Sequence, residues 1–288
     1  MRRRVPGLIA FLGLVVALAI PLAACSGGSG SGKTDASHTV TLAQTGHHAS
    51  GYQRSSSLVR NAVPQPGWRP YTGSVPILVY HDLGTPPPGD ALPGLYVSDA
   101  EFEAQMAWLH LQGYEAVTLD EVMQAWYHGA TLPAKPIVIT FDNGYIPQAT
   151  FAPAVMSRYG WPGVLNEITA GHLSNARIDS LLRIGWEIDS HSVTHPDLTS
   201  LSPGELRYQL VASRQFLQRT FHIPVNSFCY PSSKYNSAVV AAVKAAGYTN
   251  AVTENGGYAT SADPYLLNRF EIEGGQGVAG LASDLQRQ

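Results

Sequence analysis

Asp142 and Asn143 end an apolar run, PIVITF (136–141), and Gly144 follows them. Downstream, HSVTH places His191 and His195 four residues apart, and upstream His81 follows VPILVY (75–80). On a helix that spacing would align both imidazoles on one face. At a strand end running into a loop it can still bring both to one ion. Imidazole plus carboxylate suits zinc and other divalent metals, with open positions for water in catalytic sites. The chemistry on offer is a divalent-metal site with room for a bound water, provided residues more than a hundred positions apart meet. Taken alone, Asn143-Gly144 is also a good type I′ hairpin turn, but YIPQATFAPAVMSRYG after it is not a pairing strand.

The elements that must position these groups alternate. VPILVY (75–80), PIVITF (136–141), GVLNEI (163–168), WEIDSH (186–191), SFCYP (227–231) and TNAVT (249–253) read as short buried strands. Between them lie helix signals. Ser98 with Glu101 makes a capping box for a helix through Leu111, and Thr118 with Glu121 starts another. Ser202, Pro203 and Glu205 open a helix to about Phe221, Ile178 to Arg183 is a short helix, and Ser237 to Ala246 is closed by Gly247. Strand–helix alternation of this kind implies βα units around a parallel sheet. In such a barrel, residues just past the strand C-termini converge on one face. His81, Asp142, His191 and Tyr230-Pro231 all occupy that position, on four separate strands.

Composition bounds the rest. The 288 residues are 44% hydrophobic and 14% charged, enough for a real core, and a net charge of −3 gives no electrostatic case for nucleic acid. Residues 1–25 begin with three arginines, continue apolar and end in Leu22-Ala23-Ala24-Cys25, the layout of a secretory signal peptide. LAAC resembles the bacterial lipobox, so Cys25 is the expected lipidation site and the membrane an expected partner; a plain N-terminal anchor is the alternative. Residues 26–70, Gly/Ser-rich at first and low in hydrophobic residues throughout, read as a linker and loose arm that includes His47 and His48. Residues 71–288 then form one α/β domain, expected to be extracytoplasmic and monomeric. Cys229, the only other cysteine, reads as a small buried apolar residue.

TFDNGY, HSVTHPDL and FCYPSSKYN, with VYHDL upstream, resemble the polysaccharide deacetylase family, the NodB-homology or carbohydrate esterase family 4 domain, collinearly over about Val75 to Glu273. The VYHDL motif is similar to the branch that includes poly-N-acetylglucosamine deacetylases. The resemblance implies a distorted (β/α) barrel and removal of N-acetyl or O-acetyl groups from an extracellular or cell-wall polysaccharide. It implies a divalent metal, often zinc, with cobalt, nickel or manganese as alternatives. Asp142 matches the family's general base, His191 and His195 match metal ligands, and His81 is the general-acid candidate. Tyr145 and Tyr230 are expected near the oxyanion or the substrate, with a backbone N–H at one of them holding the developing charge. Trp161, Tyr230 and Tyr235 could stack on sugar rings or serve the core.

Two departures bear on the reading. Asn143 stands where the family has a metal-ligating Asp, so the site loses a negative charge opposite a dication. Three outcomes follow: a weaker or different metal; compensation by Asp189, two residues before His191 and on the same strand face; or lost catalysis, leaving a carbohydrate-binding module. In the second, Ser232 and Ser233 replace a pattern in which many relatives carry an Arg that orients the catalytic Asp, so Asp142 is expected to be less firmly held.

Overall fold

The computed structural model describes residues 59–287. The signal peptide, Cys25, the Gly/Ser-rich tether and the His47-His48 pair lie outside the described residues.

The strand Pro136–Asn143 is the centre of a parallel sheet. On one side it pairs with Ile77–Tyr80, which pairs with Phe270–Glu271. On the other the order is Val164–Glu167, Glu187–Ser190, Ser227–Cys229 and Asn250–Val252. A parallel bridge from Val252 to Leu267 brings the two edges of this curled sheet together, giving a distorted barrel. The sequence reading placed every one of these strands within two residues at each end except Phe270–Glu271, which it did not see.

Strand periodicity decides what faces inward. Ile137, Ile139 and Phe141 belong to the large cluster beneath the helices, with Phe102 and Met106 from the helix Asp99–Leu111. Phe141 stacks on Tyr80 and Trp186 at centroid distances of 5.8 and 5.2 Å. The alternate residues Val138, Thr140 and Asp142 therefore face the barrel interior. Val138 meets Ile77, Val164, Cys229 and Val252 there.

The helix starts follow the capping signals, with one change. Thr118 and Ser202 form reciprocal capping boxes with Glu121 and Glu205, opening Leu119–His128 and Pro203–Phe221. Ser98 caps Asp99–Leu111 by accepting from the Glu101 N–H at 3.3 Å, but Glu101 does not reach back. Its carboxylate instead accepts from the backbone N–H groups of Gly275 and Gly277, tying this helix to the C-terminal helix Gly277–Gln286.

The domain also extends upstream of residue 71, where composition placed a loose arm. Val59, Asn61 and Ala62 are buried. The Asn61 side chain donates to Glu115 Oε2 at 2.7 Å and to the Ala116 carbonyl at 3.1 Å. Arg69–Pro70 pairs antiparallel with Thr131–Leu132. These contacts lie at the end of the barrel where the strands begin.

Candidate active site

The central strand leaves the sheet through Asn143 and Gly144, both at positive φ (82° and 88°). These dihedrals suit a type I′ turn, yet no hairpin forms, because the chain enters the helix Ile146–Thr150. Only glycine fits at 144. A Cβ there would lie 2.5 Å from Glu167 Oε2, in a backbone conformation that L-residues rarely adopt. Gln148, fully buried, holds the turn from inside. Its Oε1 accepts from the N–H groups of Gly144 and Tyr145 (3.1 and 2.9 Å), and its Nε2 donates to the carbonyls of Asp142 and His81.

The Asp142 carboxylate is wholly buried and receives four donors. Arg269 grips it bidentately, Nη1 to Oδ1 at 2.8 Å and Nη2 to Oδ2 at 2.7 Å. Asn166 Nδ2 donates to Oδ1 at 2.7 Å and the Cys229 thiol to Oδ2 at 3.2 Å. Burial alone would raise the carboxyl pKa; the Arg269 charge and hydrogen bonds outweigh it and hold Asp142 well below the usual carboxylate range. Arg269 is itself anchored by the Thr253 carbonyl and the Thr140 hydroxyl. The expectation of a loosely held Asp142 is therefore overturned. The orienting arginine comes from the segment leading into Phe270–Glu271 rather than from the Ser232-Ser233 loop, and it was invisible as a lone charge in LLNRFEIE.

His191 and His195 do meet. Their rings stand edge to face with centroids 4.6 Å apart. The chain between them is a tight loop, not a helix, with Ser192 and His195 at positive φ. Gln209 from the helix Pro203–Phe221 accepts from the N–H groups of Val193 and Thr194 at 2.9 and 3.0 Å, and Ser192 Oγ accepts from the His195 N–H at 2.9 Å. His191 Nδ1 lies 2.9 Å from the Cys229 carbonyl, which assigns it the proton and leaves Nε2 as the lone-pair nitrogen, 4.0 Å from Asp142 Oδ2. Burial pushes the His191 pKa down to about 4 and lowers that of His195, so both imidazoles are neutral at neutral pH and competent as ligands.

These residues fit a divalent cation. Asn143 Oδ1 is buried with no hydrogen-bond partner, although its Nδ2 reaches the Tyr145 hydroxyl at 3.3 Å. Asn143 lines the same cleft as His195, whose ring stands against His191, so a neutral set of two nitrogens and one oxygen is on offer there, although His195 belongs to neither group of ligand atoms lying within 4.8 Å of one another. Asp142, His191 and Cys229 also converge, with one ligand atom from each lying within 4.8 Å of the others. On that side the Arg269 guanidinium contacts both the carboxylate and the thiol. A cation there would sit against a fixed positive charge, so the Asn143 side is the better seat.

Across the mouth stands His81, 9% exposed. Its Nε2 lies 3.9 Å from Glu254 Oε1 and its Nδ1 3.8 Å from Glu271 Oε1. His81, Asn143, Tyr145, His195, Ser232, Glu254 and the apolar Leu92, Leu95 and Ile168 line one cleft of about 510 Å3.

Other expected residues fall elsewhere. Asp189 is buried one strand step below His191, where its Oδ1 accepts from the Ser227 N–H at 3.1 Å; it belongs to neither group of converging ligand atoms. The Tyr145 N–H is spent on Gln148 and the Tyr230 N–H on the Val252 carbonyl, so neither is free for an oxyanion. The half-exposed Tyr145 side chain does line the cleft. Tyr230 is buried beneath Tyr235. Trp161 is a core residue packed on Tyr159 and His110. Sequence reasoning also missed Arg269, Asn166, Gln148 and Glu254. The first three are buried and bonded only across elements.

A parallel barrel with an aspartate, two imidazoles and an amide oxygen at the strand C-termini defines a hydrolase-type, metal-competent site. The family profile for polysaccharide deacetylase matches residues 129–251. YxkH of Bacillus subtilis (strain 168), assigned to the polysaccharide deacetylases, is 29% identical over 207 residues, covering 70% of this chain and 72% of that protein. A poly-beta-1,6-N-acetyl-D-glucosamine N-deacetylase of Escherichia coli (strain K12) is 34% identical over 92 residues, 32% of this chain and 13% of that protein. The Streptococcus pyogenes deacetylase PplD, solved with acetate, shares the fold with a TM-score of 0.69 and 24% identity, over 74% of this chain and 99% of that one. The chain is similar to the polysaccharide deacetylase family over residues 129–251.

Proposed function

We propose that this protein is a metal-dependent deacetylase that removes N-acetyl groups from an extracytoplasmic polysaccharide, held at the membrane through a lipid on Cys25. The supporting observation is the Arg269-clamped Asp142 carboxylate beside His191 Nε2, with a His81 ring nitrogen within 4.8 Å of that carboxylate in the cleft that Asn143 and His195 line. His191, His195 and Asn143 Oδ1 would hold the cation, zinc by the chemistry of the donor set. When bound, it supplies Lewis acidity for the acetyl carbonyl and makes water more acidic, toward a pKa of about 7.

The chain's own residues do the rest. Asp142, an anion in the resting site, takes the proton of the attacking water. Arg269, Asn166 and Cys229 fix which oxygen edge it presents. His81 delivers a proton to the nitrogen that leaves the acyl carbon. Tyr145, Leu92 and Leu95 shape the sugar-facing rim. The anchor rests on the layout of residues 1–25.

Asn143 favours a second reading, a glycan-binding module without turnover, because an amide binds a dication less tightly than a carboxylate. Acetate release from N-acetylglucosamine oligomers and from acetylxylan, with metal content measured in parallel, separates the two and tells N- from O-deacetylation. The deacetylase reading expects metal-dependent acetate from the N-acetylated oligomers, reduced about 10²–10⁴-fold in Asp142→Asn. Oligomer binding with no acetate release at saturating metal sinks it.

A further inference from the structure

Glu254 takes no part in the roles assigned above, yet it stands in the same site. It follows the strand Asn250–Val252 at the end where His81, Asp142 and His191 emerge, and its side chain is 14% exposed. One ligand atom from each of His81, Asp142 and Glu254 lies within 4.8 Å of the others. Its backbone is pinned, the N–H donating to Ser233 Oγ at 2.8 Å.

Two plainer roles fit less well. As a counter-ion for Arg269 it is superfluous, because Nη2 already meets Asp142 Oδ2 at 2.7 Å and Glu254 lies farther off at 3.4 Å. As a cation ligand with His81 and Asp142 it would place the ion against the same guanidinium. The groups facing Glu254 are Arg269, His81, Asp142, Cys229 and Glu271, with Asp284 and Arg287 in a cavity on its other side. Among them burial is the strongest influence and pushes the carboxyl up to about 7, even with Arg269 opposing. Asp142, a few ångströms away, is driven the other way. Two carboxyls of one kind, set apart by their surroundings in one cleft, divide into an acid and a base.

We infer that Glu254 is a positioning and proton-carrying partner of His81, the two forming a single acid unit. The inference rests on the deacetylase reading. As the C–N bond breaks, His81 gives one proton to the leaving nitrogen. The proton leaves from His81 Nε2; Glu254, whose Oε1 lies 3.9 Å from that nitrogen, closes the gap by side-chain rotation, passes its own proton to it, becomes carboxylate, and is reprotonated by solvent through the cleft. The proton removed from water remains on Asp142 until acetate leaves.

The test compares full-length wild type, Glu254→Gln, His81→Gln and the double variant for acetate release between pH 5.5 and 9, with metal content and thermal unfolding measured on each. An acid acts only while protonated, so wild-type kcat should fall as pH rises through about 7, and Glu254→Gln should lose or displace that limb. Its kcat should drop about 10²-fold with KM and metal content within about twofold of wild type. The double variant should be no slower than His81→Gln alone, because the pair acts as a unit. Glu254→Asp, which keeps a carboxyl, should recover part of the rate; it serves as the test if the Gln variant does not fold. An active wild type whose rate and pH limb are untouched in Glu254→Gln, or additive losses in the double variant, overturns the inference and leaves the deacetylase reading standing. No acetate from wild type defeats that reading first.

Discussion

Asp142 and Arg269 form a wholly buried ion pair, and such a pair is worth less than its Coulomb attraction because both ions were taken from water. Losing one partner is another matter. Arg269→Met should cost about 3–5 kcal/mol in urea unfolding, since it strands a buried carboxylate. The pH dependence follows from the sign of the shift. Asp142 has a lower pKa folded than unfolded, so its stabilisation is complete above the unfolded value of about 3.9 and drains away as pH falls below it. Wild type should therefore lose stability steeply below about pH 4, and Asp142→Asn should show a shallower slope in the same titration. Asn143→Asp adds a charge where Oδ1 has no partner. It should tighten metal binding by about 10–100-fold in chelator competition. Unchanged affinity would place the cation elsewhere.

Two glutamines, Gln148 and Gln209, convert regular elements into a site. Each sits in or beside a helix and offers one side-chain oxygen to two successive loop N–H groups, at 144–145 and at 193–194. Gln209→Ala should leave Val193 and Thr194 without their acceptor. The expected cost is about 1–3 kcal/mol of stability and, because the His191–His195 loop loosens, about tenfold in metal affinity; intact affinity with lost stability would show that the loop holds itself. Capping boxes at Thr118 and Ser202 were legible because they are local, three residues end to end. These glutamines were not: Gln148 reaches back three and four residues into a turn that carries no Ser, Thr or Asp cap to mark it, and the partners of Gln209 lie fifteen and sixteen residues away. The strand Phe270–Glu271 was missed for a related reason. Two residues carry no periodicity, and their strand character comes from pairing with Leu78 and Val79.

The whole domain is built so that one end of the barrel carries the candidate site and the other is sealed by chain that composition assigned to a loose arm. Asn61 bonds to Glu115 and Ala116, and Arg69–Pro70 pairs with Thr131–Leu132, all at the base. A protein beginning at residue 71 should therefore melt several degrees below one beginning at residue 59, about 1–3 kcal/mol, with acetate release per folded molecule unchanged. Equal melting temperatures would return residues 59–70 to the linker.

What the amino-acid order determined by itself was most of what depends on near neighbours. It set the βα alternation, the caps, the inward phase of Asp142 on its strand, and the family motifs carrying His81, Asp142, His191 and His195. Tertiary structure decided what depends on distance through space. It placed Arg269 on Asp142 across 127 positions, spent Asp189 on the Ser227 amide, and closed Glu254 against His81. The physical reason is burial: a charge or amide acquires its role from the partners present where water has been removed, and those come from strands whose separation along the chain says nothing of their adjacency in the barrel.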